Sequence, residues 1–554
     1  MLKRGRSKQG KDKKEPNMLN RDYRFVDELR KVPISMELDD NRQYVKELFD
    51  NCSDFVVRDL QLQQSVRAIL FFVDGMAKTE EVNEAMKALM ILEGGERFID
   101  EISESVLPVS QIEKVDNYGD LLLSVLGGDT GLIVEHNNKA LLMGVRGMEK
   151  RSINEPETES VVRGPREGFV ENIRTNTSMI RRKLKTPHLK MKPLIIGRES
   201  NTNVVVTYLQ DIADPAMVEE VMRRLQKIDI DAVLESGYIE EFIQDSAYSP
   251  FPQVQYTERP DMVAAALLQG RIGIIVDGTP FVLLVPFVFT EILQTSEDYY
   301  ERFQISTLIR WLRYLLLFLS LLTPGMYVAV TTYHQDLLPT SLLLSIAAAR
   351  EAIPFPAVVE VLIMEITFEA LREAGIRLPK TIGSAVSILG ALVVGQASVQ
   401  AGIVSAPMVI VVSITGIASF TIPRFNGAIA IRMLRFPIII AASLFGIYGI
   451  LTALMLIIGH MASLRSFGIP YLSPLAPLTG SNMNDILIRA PLWALKERPA
   501  FMPVQEHTRM SNALPDEIMQ QSGQRGITIS HDDDGDKKNQ QDHSDKDKQD
   551  KEES

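Results

Sequence analysis

TIGSAVSILGALVVGQASVQAGIVSAPMVIVVSITGIASFTIPRFNGAIAIRMLRFPIIIAASLFGIYGILTALMLIIGHMASL, residues 381–464, contains three charged side chains, Arg424, Arg432 and Arg435, all within one short stretch. A long polar, well-patterned region precedes it. A soluble region built first and a membrane block built second is the layout of a membrane-seated receptor, channel or transporter subunit. It is not the layout of a secreted protein.

Whole-chain averages conceal this division. Hydrophobic residues make up 45% of the 554, an ordinary value, because polar tails dilute the apolar block. The net charge of −12 is also unevenly spread. Residues 1–15 carry seven basic and two acidic side chains, and residues 531–554 carry ten acidic and five basic ones. Both tails are too poor in apolar residues to bury a core, so disorder is expected there. The opening MLKRGRSKQGKDKKEPN has no apolar stretch of the signal-peptide kind, so the N-terminal region is expected to stay cytosolic. A single cysteine, Cys52, excludes an intrachain disulfide framework and a cysteine-rich metal site.

Working outward from the apolar block, residues 20–110 read as helical, with Val45, Leu48, Phe49, Phe55, Val56 and Leu60 at three- and four-residue steps. A helix over Glu80 to Leu92 should stop at Gly94-Gly95. GLIVEHNNKALLMGV (131–145) reads as a β-hairpin turning at Asn137-Asn138. Leu194–Ile196 and Val204–Val206 read as strands, and Asp214 as the N-cap of a helix from Pro215 to Leu225. RIGIIVDGTPFVLLVPF (271–287) is apolar enough to resemble a span, but its Asp-Gly turn favours a hairpin. About five spans are expected, at Tyr314–Gln335, in the ambiguous 337–373 region, at Ile382–Ala401, at Ser405–Ile422 and at Phe436–Met461. Basic groups before the first, third and last spans set the cytosolic side, with Arg424, Arg432 and Arg435 on one cytosolic turn.

The expected division is a disordered basic tail (1–20), a helical N-terminal part of the cytosolic region (21–120) and α/β cytosolic subdomains (121–303). A transmembrane helical domain (304–464), a C-terminal region with an amphipathic helix from Met483 to Lys496 (465–505) and a disordered acidic tail (506–554) follow. The fold class is α+β in a two-subdomain cytosolic region, then an all-α multipass membrane domain.

One segment carries a fingerprint: ESVVRGPREGFVENIRTNTSMIRRKLKTP (159–187). With VDGTPFVLLVPFVFTEILQTSEDYYERF (276–303), LLTPGMYVA (321–329), LPKTIGSAVSILGALVVGQASVQAGIVSAPMVIVV (378–412) and PYLSPLAP (470–477), it resembles the A subunit of GerA-type spore germination receptors over roughly residues 40 to 500. The resemblance implies a complex in the spore inner membrane with a transporter-like B subunit and a lipoprotein C subunit. It implies self-association, as a pentameric ring, into a channel that conducts ions when nutrient binds. A dipicolinate-release relative shares the fold and stands as an alternative, as does a transporter that binds nutrient itself. A transporter should show repeated broken helices, and the sequence shows no convincing repeat.

No phosphate loop, zinc-binding HExxH or GxSxG elbow is present, so no enzyme and no cofactor are expected. The basic run from Arg163 to Lys192 could suggest nucleic acid. However, Arg174, Arg181 and Lys185 share a helical face and Glu167 and Glu171 offer partners. Arg163, Arg166, Glu167, Asn172, Arg174 and Arg181 are therefore taken as a subdomain or subunit contact, with no nucleic acid involved; in the resembled family this segment links two N-terminal subdomains. In the apolar block Gln396 and Gln400 share a face, and amides there must meet protein or water, not lipid. They either bridge helices or line a pore below an apolar constriction at Val393 or Val394. Glu365 and Glu369, also four apart, are candidate pore-mouth acids; the other reading is an interfacial helix with its acids in water.

Overall fold

The computed structural model describes residues 21–62, 66–91, 111–147, 155–156, 158–378, 393–478 and 485–510. Both charged tails, most of 379–400 and the start of the Met483–Lys496 segment lie outside the described residues.

The first unit has helices α1 (Arg21–Arg30), α2 (Leu38–Leu48), α3 (Thr79–Ile91) and α4 (Tyr118–Val125) around a five-stranded antiparallel sheet. Its strands are β1 (Phe55–Gln61), β2 (Arg67–Val73), β3 (Ile112–Val115), β4 (Thr130–Val134) and β5 (Ala140–Met143), ordered β1-β2-β4-β5-β3. Alternate residues of β2 serve opposite faces. Ile69, Phe71 and Val73 meet Val45 of α2 and Leu121 of α4, while Ala68, Leu70 and Phe72 meet Val82, Ala85 and Leu89 of α3. Burial on both faces gives an unbroken apolar run instead of an alternating one. That corrects the helical reading of 21–120. Phe55–Gln61 and Arg67–Val73 are paired strands (Phe55 opposite Val73, Gln61 opposite Arg67), and the boundary at 120 would cut one sheet in two.

The second unit repeats the plan. Strands β6 (Leu189–Ile196), β7 (Thr202–Leu209), β8 (Gln255–Thr257), β9 (Ile272–Val276) and β10 (Val282–Val285) are ordered β6-β7-β9-β10-β8, the same antiparallel sequence shifted by five. Helices α6 (Pro215–Gln226) and α7 (Ser236–Ile243) cover one face, and α5 (Ile173–Lys183) and α8 (Pro260–Leu268) the other. Asp214 caps α6 by accepting from the Ala216 N–H at 3.0 Å, with Pro215 at the first helical position. The 271–287 stretch is the β9–β10 hairpin, closed at Gly278 with φ +86°.

The helical block has α9 (Phe303–Thr332), α10 (Thr340–Arg350), α11 (Ala357–Arg377), a helical stretch at 393–400, α12 (Ala406–Phe420) and α13 (Phe425–Ser463). α9 and α13 are long and apolar enough to cross a membrane. α13 is not straight. Its start is held by Asn426, which accepts from the Tyr256 hydroxyl at 3.2 Å, and its end by His460, 3.0 Å from Ser249. Tyr256, in β8, and Ser249, on the loop before it, are at most about 25 Å apart along the chain. A straight helix from 426 to 460 would be about 50 Å long. The reversal is at Gly446 (φ +61°, ψ −139°), where only glycine sits without strain. A Cβ on Gly449 would come within 2.0 Å of the Ala441 carbonyl oxygen, so the arms touch directly beyond the turn. The expected single span Phe436–Met461 is thus corrected to an antiparallel helical hairpin, each arm rising roughly 25–30 Å.

After the hairpin the chain returns to the second unit. Ser466 donates to the Gln253 carbonyl, Gln505 N–H to the Ile212 carbonyl, and Arg498 to the Leu268 carbonyl. The amphipathic helix expected from Met483 to Lys496 is corrected: its described part holds no α-helix, only 3-10 and turn conformations at Asp485–Leu487 and a 3-10 turn at Leu492–Ala494. Pro491 cannot donate within a helix. The carbonyls of Asp485 and Leu487 are already taken by Arg310 and Trp311 of α9.

Candidate functional site in the helical block

Four acids lie along α11, and each meets a guanidinium; Glu373, the last, pairs with Arg377 of its own helix at the surface. Glu365 and Arg435 form a pair 2.5 Å long, both side chains 1% exposed. Glu369 holds Arg432 at 3.1 Å and Arg372 at 3.4 Å. Glu360, fully buried, holds Arg350 at 3.1 Å and accepts from the Ser405 N–H at 2.9 Å. As α11 advances from 365 to 369 its partners step back from 435 to 432, so α11 runs antiparallel to the first hairpin arm. Arg372 also donates to Ser419 at 2.8 Å and stacks 4.4 Å above the Phe420 ring. Glu360 meets the start of α12 and Arg372 its end, so α11 and α12 run parallel.

These contacts correct two expectations. Glu365 and Glu369 are not free pore-mouth acids, because a carboxylate bonded to arginine between helices has little charge left to offer a passing cation. Glu365 is buried away from water, while Glu369 is partly exposed. The three arginines do not share one turn either. Arg424 pairs with Glu159 beside the second unit, whereas Arg432 and Arg435 lie two to three helical turns further along the arm. Buried arginine in an apolar block is tolerated only when paired, and the partners are supplied by α11.

The 393–400 stretch carries the other candidates. Val393, Gln396, Ala397 and Gln400 are exposed, Val394 is half-buried and Gly395 is buried. Val393, Gln396 and Gln400 follow helical spacing and form one outward face. Neither amide has a hydrogen-bond partner among the described residues, so they do not bridge neighbouring helices of their own chain there.

The fingerprint segment stitches the parts together. Arg181, on α5 and fully buried, makes a two-pronged bond to Asp54 of the first unit at 2.7 and 2.8 Å and donates to the Thr186 carbonyl. Arg174 reaches Asp74 at 3.3 Å, Asn172 caps α5, and Glu167 pairs with Arg182. Arg181 and Arg174 therefore join the two units. Glu159 and Arg163 face the helical block: Glu159 bonds Arg424 and Thr257, and Arg163 lies 3.9 Å from Glu301. Arg166 is exposed, with no partner among the described residues.

Sequence reasoning missed two features here. At the hairpin tip the Tyr333 hydroxyl donates to the Ser443 and Leu444 carbonyls at 2.9 and 3.1 Å, and His334 accepts from the Ile447 N–H at 3.3 Å. The backbone groups freed by the reversal are thereby satisfied. The available signal was the GxxG spacing at Gly446 and Gly449. The second is the buried pair of Arg271 and Glu291, 3.2 Å apart beneath α13. Burial pushes the Glu291 carboxyl up and the Arg271 guanidinium down, opposed by their mutual attraction.

Comparison with known proteins bears on all of these residues. Residues 43–501 match the family described as Bacillus/Clostridium GerA spore germination protein. The chain is 51% identical over 470 residues to the uncharacterized membrane protein YfkQ of Bacillus subtilis, covering 84% of this chain and 91% of that one. It is 43% identical over 512 residues to spore germination protein KA of the same organism, covering 92% and 94%. Among solved structures, the N-terminal domain of the A subunit of the Bacillus megaterium spore germinant receptor GerK3 is 35% identical, covering 46% of this chain and 97% of that one, with a TM-score of 0.38.

Proposed function

Because the chain belongs to the GerA spore germination protein family, we propose that it is the A-type subunit of a nutrient germinant receptor in the spore inner membrane. Several copies form a ring, a pentamer on the family pattern, around an ion-conducting path. A transporter-like B subunit and a lipoprotein C subunit complete the receptor. Nutrient binding to its partners biases a closed–open equilibrium of the ring.

The observation that carries this reading is the outward face of Val393, Gln396 and Gln400. Amides facing lipid are costly, and these have no described partner in their own chain, so water or another subunit must face them. A valine beside two amides on a shared axis gives an apolar constriction in an otherwise wettable wall, which closes by dewetting. The helix directions support six passages: α9 outward, α11 back, the 393–400 region outward, α12 back, and the hairpin out and back. That number returns the C-terminal segment to the second α/β unit. Arg163 and Arg166, exposed on the fingerprint loop, are the residues we assign to contact between copies.

The test is single-channel recording of the purified chain, alone and with its B and C partners, in planar bilayers. Unitary currents are expected, and Val393→Ala should raise the resting open probability and cause germinant-independent ion release from spores. Silent bilayers under every combination would reduce the chain to a scaffold.

A further inference from the structure

α7 has two apolar faces, and the fold uses only one. Ile239 and Ile243, four apart, are buried against the second sheet. Tyr238 and Phe242, also four apart, point outward at 41% and 53% exposure, and Leu234 precedes them at the same spacing. Tyr248, just beyond, is fully exposed. A soluble domain gains nothing by holding a leucine, two tyrosines and a phenylalanine in water along one short element.

The surroundings say what covers them. The loop after α7 is fastened to the end of the second hairpin arm. Asp245 accepts from the Phe467 N–H, Ser249 lies 3.0 Å from His460, and the Phe251 and His460 rings are 6.2 Å apart. On the sheet side, Tyr256 bonds Asn426 at the start of the first arm. α7 therefore sits where both arms enter the second unit. Met455, Leu456 and Ile458 are exposed on the arm ending at His460, and Tyr248 is exposed next to the Ser249 that meets His460. Tyrosine and phenylalanine are the side chains that partition into the headgroup layer. Glu235, Glu241 and Asp245 flank the patch, so attraction to anionic lipid plays no part.

We infer that Leu234, Tyr238, Phe242 and Tyr248 form a membrane-docking edge, with α7 lying in the headgroup layer beside the hairpin. The inference rests on the membrane reading of the helical block. It adds a lipid contact on the α/β region, so bilayer composition can act on the second unit directly.

The test uses the full chain in nanodiscs of zwitterionic phosphatidylcholine, with Trp311→Phe and Trp493→Phe removing the native tryptophans. Single tryptophans are introduced as Phe242→Trp, Tyr248→Trp and, within the arm, Leu456→Trp. Lipids brominated near the headgroup should quench the probes at 242 and 248, and lipids brominated deep in the chains the probe at 456. Quenching at 456 alone, with 242 and 248 open to aqueous iodide, would place the edge in water and overturn the inference. The same pattern with 242 and 248 shielded from iodide would mean that protein covers them, which also overturns it. No lipid quenching at 456 would overturn the membrane reading and the docking edge together.

Discussion

Charge at single residues decides much of this chain's behaviour. Glu240, half-buried in α7 beside Glu235, has its carboxyl pushed up to about 7, first by burial and then by that neighbour. Between its ordinary value of 4.5 and about 7 the folded chain holds a proton that the unfolded chain has lost. Stability contributed there is full below pH 4.5 and declines as pH rises through that window, by up to ~3 kcal/mol. In detergent melts, Glu240→Gln should match the parent at pH 5 and melt higher at pH 8; equal melting at both would show that the carboxyl ionises without penalty. The Glu365–Arg435 pair makes the second case. Removing either partner strands the other in an apolar interior and should cost about 3–5 kcal/mol. Replacing both, as Glu365→Leu with Arg435→Met, should recover most of that in thermal unfolding. A double variant no better than the singles would mean that the pair also fixes the register of α11 against the hairpin.

Among the elements, the hairpin depends on one backbone angle. Gly446→Ala places a Cβ 2.7 Å from the His334 Nε2 at a φ of +61°, and should lower stability by about 1–3 kcal/mol. Adding His334→Ala relieves the contact with the ring but leaves the strain and frees the Ile447 N–H, so no full recovery of the melting temperature is expected. This is also the level at which the sequence was most and least legible. Turn chemistry identified the Asp277-Gly278 hairpin and the 131–145 hairpin, whose positive φ falls on His136 and not on Asn137 or Asn138, and Asp214-Pro215 announced a helix start. Those signals act over a few residues and survive any tertiary context. β2 lost its alternation because it is buried on both faces, whereas β1 is a half-exposed edge strand whose Phe55, Val56 and Leu60 fall at helix-like steps. The hairpin was misread because an apolar helix that reverses has the composition of one that continues. Glu369 has Arg372 three residues on, a pairing local spacing can reach, but Arg435 and Arg432, the partners of Glu365 and Glu369 on the hairpin, lie 70 and 63 residues away, where no local pattern reaches.

For the whole molecule, the directions of α9, α11, α12 and the hairpin put the C-terminal segment on the same side as both α/β units. Cys52 is the only cysteine and is buried, so its replacement gives a clean background for labelling. In intact protoplasts, an impermeant maleimide should label Ser341→Cys, in the first turn of α10, and should label Arg509→Cys only after permeabilisation. Label at Arg509→Cys in intact cells would require an odd number of passages. The charge-poor run revealed an apolar helical block; the directions of its helices needed long-range contacts.

The shared sheet order of the two α/β units has a mechanical consequence. The first unit grips the second through Arg181 and Asp54 and, among the described elements, supplies none of the ties to the hairpin; the second carries both of the hairpin's feet. A two-legged frame planted on one rigid base cannot let one leg slide past the other. A tilt of that base would move both legs as a single swing and reach the tip, where Tyr333 and His334 hold the turn. The duplicated architecture thus divides labour between a handle and a lever.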